Sequence, residues 1–335
     1  MTQSATTRMA REINEMPEAA RRLTTPEARS KSQAIAAALR ELDPNTVVTV
    51  ARGSSDHAAN YLSYAIQSVL GLPVASIGPS IHSVYGKELK MKGLAALAIS
   101  QSGGSEDIAA LCQSLAKNGG HVVALTNTPR SPLALAAQDV IDILAGPEHA
   151  VAATKSFFNS IVAGLWLIAD WADDHDLAAA LCRLPDCMKE DIEMPALDEV
   201  LEALRETYQT TIIARGAALG LAHEFALKLV ETCAIHAASY SGAEVLHGPS
   251  AVLRDGYPVI ALSTPDGKGM EQALERLPIQ GARVITLAPP LATGHWLVDP
   301  LLSVQPFYRL AERLSVQRGL DPDNPPHLRK VTKTL

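Results

Sequence analysis

Residues Ser100 to Asp107 read Ser-Gln-Ser-Gly-Gly-Ser-Glu-Asp, directly after the apolar run 94–99. A strand that empties into such a loop and then opens a helix can hold an anion. Glycines let the backbone approach a ligand, the first N–H groups of a helix lack internal partners, and the helix dipole favours negative charge there. Ser100, Ser102 and Ser105 add side-chain donors without adding charge. Ser105 could equally do no more than cap the helix.

A second group suits proton transfer. Residues 221–238 have helical character, with Leu221, Phe225, Leu229 and Cys233 spaced by four. Glu224, Lys228 and Glu231 fall on another stripe of the same helix and point one way. Such a set can be a solvated Glu–Lys pair contributing a few tenths of a kcal/mol. The residues beyond the helix favour a sharper reading. Ser239 to Glu244 reads as a polar turn, and His247 stands before Gly248-Pro249, where regular structure must break. A carboxylate and a histidine brought to one pocket can move protons near neutral pH. His223 and His236, each alone, read as structural.

These groups need a scaffold. At 335 residues the chain can bury a large core and fill two domains of ordinary size. A 47% hydrophobic and 19% charged composition is globular. The net charge of −7 argues against a nucleic-acid surface. The four cysteines, Cys112, Cys182, Cys187 and Cys233, lack metal-like spacing, and a reducing compartment is expected. No run reaches transmembrane length and the first residues lack an apolar signal core, so a cytoplasmic protein without a membrane partner is predicted.

The scaffold reads as a repeat. The β-branched run ending at Arg52-Gly53 has a counterpart ending at Arg215-Gly216, 163 positions later. Ser100 corresponds to Ser263 at the same offset, and the strand-like run around Val122 to that around Val284 at 162. Strands alternating with helical patterns predict parallel α/β units with ligands at the carboxyl ends of strands. Any two α/β domains can share some such spacing, but three segments in one order favour duplication. The second copy replaces the serine loop with Ser263-Thr264-Pro265-Asp266-Gly267. Proline removes a donor and aspartate repels phosphate, so only the first copy is expected to hold one.

Taken together, Arg52-Gly53-Ser54-Ser55, Ser100-Gln101-Ser102-Gly103, Val151 to Lys155 and Ala226 to Glu231 resemble the sugar isomerase (SIS) family. The chain is similar to the isomerase half of glutamine–fructose-6-phosphate aminotransferases. Glu244 to Pro249 and the ending Leu328 to Thr332 extend that match, and with Arg52 to His57 and the ending Pro325 to Leu335 the chain looks most like the type II glucosamine-6-phosphate deaminases. The resemblance implies two tandem SIS domains, each a parallel sheet flanked by helices in a flavodoxin-like three-layer α/β/α arrangement. The expected order is a helical lead-in over 1–45, a first domain over 46–175, and a second over 176–313 opening with a linker over 176–200. A tail over 314–335 would complete the active site.

The resemblance also implies roles. Gly53, Ser54, Ser55, Ser100, Gln101, Ser102, Ser105, Val151, Ala152 and Glu244 would bind a phosphosugar. Glu231 would carry the proton between C1 and C2, with Lys228 keeping it ionised, and His247 would open the sugar ring. Lys330 matches a position that forms a Schiff base in the aminotransferases. No metal or other cofactor is implied, and a homodimer is expected. The lead-in carries no cysteine, so glutaminase activity is not expected. The implied reaction is glucosamine 6-phosphate and water to fructose 6-phosphate and ammonia. A fructosamine-6-phosphate deglycase, a galactosamine-6-phosphate deaminase and a non-catalytic sugar-phosphate sensor are the rival readings. Against the sensor, the first 45 residues show no helix-turn-helix signature.

Overall fold

The structure, a computed structural model, describes residues 6–188, 194–263, 269–289 and 291–330. Three helices open it: α1 (Arg8–Asn14), α2 (Met16–Arg22) and α3 (Pro26–Leu42). Then come β1 (Val47–Val50), α4 (Ser54–Ala65), β2 (Val74–Ser76), α5 (Ser80–Ser83) and β3 (Ala95–Ile99). The chain continues through α6 (Glu106–Lys117), β4 (His121–Thr126), α7 (Pro132–Ala136) and β5 (Asp139–Asp142) to α8 (Lys155–Ala172) and α9 (His175–Cys187). Past α10 (Pro195–Arg205) lie β6 (Gln209–Ala214), α11 (Ala218–Cys233), β7 (His236–Ser241) and β8 (Pro258–Leu262). The last elements are α12 (Glu271–Ile279), β9 (Arg283–Leu287) and α13 (Val304–Gln317).

The chain divides into two compact units. One comprises Glu18–Glu148 and Lys155–Pro185; the other gathers the lead-in up to Pro17, His149–Thr154 and Asp186–Lys330. The helical lead-in is thus shared out between the units instead of forming a block of its own. Residues 176–200, expected as a linker, include most of α9 and the start of α10, and Pro185 lies inside α9.

The first unit holds a parallel five-stranded sheet in the order β2-β1-β3-β4-β5. Val47-Val48-Thr49-Val50 is buried throughout, the pattern of a strand covered on both faces. One face packs on α6, where Ile108, Leu111, Cys112 and Leu115 recur at helical spacing and join Val48, Val50, Ala96 and Val122 in one core. Helix α8 is buried from Lys155 to Ala169 and packs against α3 and α4.

In the second unit a parallel four-stranded sheet runs β7-β6-β8-β9. Its core joins Ile213, Val259, Ala261, Met270, Ala273 and Leu277. This region corrects two sequence expectations. The helix read over 221–238 stops at Cys233, and Ala234 ends it in the left-handed conformation (φ 52°) with its N–H on the Leu229 carbonyl. Residues 239–241, read as part of a turn, instead complete β7, whose backbone pairs with β6. Neither glycine nor proline marks the stop; pairing along β6 offsets the cost of a non-glycine left-handed residue.

Candidate functional site

The serine loop joins β3 to α6. Ser100 Oγ accepts the N–H of Gly103 (3.2 Å), and Ser102 Oγ accepts that of Gly104 (3.2 Å), so two hydroxyls shape the loop they sit in. Gly103 has φ +58°, and a Cβ there would stand 2.0 Å from Ser131 Oγ, so only glycine fits. Asn127 N–H donates to the Gln101 carbonyl (3.0 Å), and Leu133 N–H to that of Gly103 (3.0 Å). Ser105 is the N-cap residue of α6, yet among the described residues its hydroxyl takes no capping bond. Its side chain is not consumed by the helix, which bears on the capping alternative raised by the sequence.

The charge at this helix start differs from a simple anion cradle. Glu106 and Asp107 occupy the first turn of α6 and oppose an anion. Asp107 is buried and ion-paired with Arg52, which follows β1, so the pair cancels one carboxylate and fixes a guanidinium beside the loop. Gly53 (φ 54°) turns the chain into α4, whose first two residues are Ser54 and Ser55. The Arg52–Asp107 pair joins two segments 55 residues apart, and residue spacing gave no sign of it.

In the second unit α11 carries Glu224, Lys228 and Glu231. The Lys228 ammonium lies 3.4 Å from Glu224 and 2.5 Å from Glu231. The side chains of Lys228 and Glu224 are fully buried, whereas that of Glu231 is 21% exposed, so Glu231 is the open end of the set. Burial acts to lower the proton affinity of Lys228, but the two carboxylates outweigh it and hold the lysine above its ordinary value. Tyr308 of α13 donates its hydroxyl to Glu224 (3.0 Å). Helical spacing placed Glu224 on this stripe without giving it a role, and no local signal pointed to Tyr308.

Glu244 and His247, two further expected residues, bound a single 3-10 turn after β7, both exposed, with Val245 between them anchored in the core. Val151 donates its N–H to the Asp323 carbonyl (3.3 Å), and Ala152 is buried. Their segment is pinned in the second unit by buried Glu12 of α1, which accepts the N–H groups of His149 and Ala150. Lys330 is half-buried at the end of the described chain, and the 263–267 counterpart of the serine loop lies mostly in residues 264–268, outside the described ones. Among the described residues no group of His, Cys, Asp or Glu side chains could hold a metal ion, and no helix is long and apolar enough to cross a membrane.

Residues 42–169 match the SIS domain family. A putative phosphosugar isomerase from Silicibacter pomeroyi DSS-3 is 43% identical in structural alignment, with a TM-score of 0.87 over 95% of this chain and 100% of that one. The chain belongs to the SIS family. The glutamine–fructose-6-phosphate aminotransferase of Pyrobaculum aerophilum is 33% identical over 96% of this chain, and that of Symbiobacterium thermophilum 33% over 85%. The SIS chain spans 57% and 51% of the length of these two relatives. A glucosamine-6-phosphate deaminase from Thermotoga maritima shares the fold, with a TM-score of 0.79 over 98% of this chain and 100% of that one, at 21% identity.

Proposed function

We propose that this SIS protein is an amino-sugar-phosphate deaminase/isomerase, converting glucosamine 6-phosphate and water to fructose 6-phosphate and ammonia. The observation that carries the reading is the ionised set on α11: a sealed lysine between two carboxylates, of which only Glu231 reaches solvent. An isomerase of this kind needs a carboxylate that stays deprotonated and can take a carbon-bound proton. The serine loop, Arg52, Ser54 and Ser55 would hold the phosphate through hydroxyls, loop amides and one guanidinium. The shared strand order of the two sheets, with β7-β6-β8-β9 repeating β2-β1-β3-β4, supports the second unit as a second SIS copy.

The reaction then runs in four proton-balanced steps. His247 moves the O1 proton to O5, opening the ring to the aldehyde. Glu231 takes the proton from C2 and returns it to C1, while the O1 and nitrogen protons rearrange, giving the C2 imine of fructose 6-phosphate. Water adds to C2 to form a carbinolamine. Its collapse breaks the C2–N bond, releases ammonia and leaves the ketone. Lys330 would offer an alternative covalent imine at C2, which deamination by this route does not require. The test is ammonia release from glucosamine, galactosamine and fructosamine 6-phosphates. Release from glucosamine 6-phosphate with formation of fructose 6-phosphate is expected. Preference for either other sugar moves the assignment to the corresponding deaminase or deglycase, and tight binding without release from any of them makes the protein a sensor.

A further inference from the structure

Residues His149–Thr154 belong to the second unit, although the chain on both sides of them belongs to the first. Holding such an excursion in one conformation costs chain entropy, which bonds from its surroundings must offset. Helix α1 supplies two: buried Glu12 accepts the N–H groups of His149 and Ala150. The tail supplies another, since the Asp323 carbonyl accepts the N–H of Val151 (3.3 Å). Asp323 also grips α1, because its two carboxyl oxygens accept the N–H groups of Arg8 and Met9 (both 2.8 Å). One residue therefore meets the start of α1, the 149–154 segment and the tail. With Val151 and Ala152 taken as part of the phosphosugar site of the proposed function, we infer that Asp323 is a positioning residue: it fixes that segment in register with α1 and with the tail that runs on to Lys330.

Each arm of this junction is itself held. Asp321 Oδ1 accepts the Asp323 N–H (2.9 Å) and its Oδ2 the Asn324 side-chain amide (2.9 Å), closing a turn over 321–324. The bond from Asn324 keeps the Asp321 carboxyl below its ordinary value, so the turn retains its acceptor. Pro322 and Pro325 are buried, and proline has little backbone freedom to lose on docking. Helix α1 is fastened to α13: Gln305 donates to the Ile13 carbonyl (3.1 Å), Arg309 to Asn14 (3.0 Å) and Thr7 to Glu312 (2.8 Å). Helix α13 in turn carries Tyr308, which donates to Glu224 beside Lys228 on α11. Within the second unit, α13, α1 and Asp323 thus link the proton-transfer helix to the 149–154 segment and the tail.

The test uses the full chain. Asp323→Asn keeps the size of the side chain and the backbone carbonyl, but sets an amide nitrogen against one of the two N–H donors of α1. It is expected to raise KM for glucosamine 6-phosphate by about three- to tenfold, with kcat within about twofold of wild type. A contact that only stabilises the fold would instead lower the active fraction, and so kcat, at constant KM. Hydrogen–deuterium exchange on the wild-type protein needs no variant. Fructose 6-phosphate should slow exchange of the Arg8 and Met9 amides together with those of residues 149–152, although neither Arg8 nor Met9 has a place in the site. An unchanged KM in Asp323→Asn, or protection confined to 149–152, overturns the inference and leaves Asp323 a structural tie; the exchange result decides should the variant not fold. A sugar phosphate that binds and leaves 149–152 unprotected removes the underlying reading of that segment, and the inference with it, whatever the α1 amides do.

Discussion

A lysine sealed from water stays charged only when carboxylates outweigh its lost hydration, and Lys228 meets that condition with two. The converse matters more for chemistry. Glu231, partly exposed, has a fixed positive neighbour in Lys228. Replacing it by glutamine keeps the shape and removes the base. Exchange of the substrate C2 proton with solvent deuterium should then fall by about 10²–10⁴-fold, while substrate binding followed by calorimetry holds near wild type; exchange at the native rate would clear Glu231 of the role. The stripe of Glu224, Lys228 and Glu231 was legible because helical spacing is a local property. Tyr308 was not: it lies 84 positions beyond the Glu224 to which it donates, and only the settling of α13 on α11 brings the two together.

At the scale of elements, the serine loop is a shape before it is a set of donors. Its glycine fills a place where positive φ and contact with Ser131 coincide, and Ser131 is itself held as the N-cap residue of α7 by the Ala134 N–H (3.3 Å). Gly103→Ala should therefore cost about 1–3 kcal/mol in urea unfolding from backbone strain alone, with the contact adding to it. It should also weaken binding of the sugar phosphate, because the Gly103 and Gly104 amides would leave their serine hydroxyls. Pairing the change with Ser131→Gly should recover the contact part and not the strain; an undisturbed Gly103→Ala protein would show that the loop tolerates another path. The strand–loop–helix order around this site was legible from apolar runs meeting glycine and serine. The end of α11 was not, because Ala234 carries no local signal for a left-handed turn and β7 is specified by its partner β6. The short strands β2 and β5 have their place set by pairing with β1 and β4, which local periodicity does not report.

For the whole molecule the question is where His247 acts. It lies exposed on a one-turn helix whose deep anchor is Val245, an arrangement that presents the imidazole outward. We propose a homodimer in which this histidine serves the partner's site, since a two-fold contact would let each chain supply the other. Complementation separates this from a site within one chain. A Glu231→Gln protein and a His247→Asn protein should each be nearly inactive as homodimers. Mixed under conditions that allow subunit exchange, half the dimers become hybrids. A hybrid whose sites draw Glu231 from one chain and His247 from the other has one intact site, so the mixture should recover about a quarter of wild-type activity. If both residues belong to one chain, every site in the hybrid lacks one of them and no activity returns. Native mass spectrometry of differently tagged chains confirms that hybrids have formed, and a confirmed hybrid without activity ends the shared-site proposal.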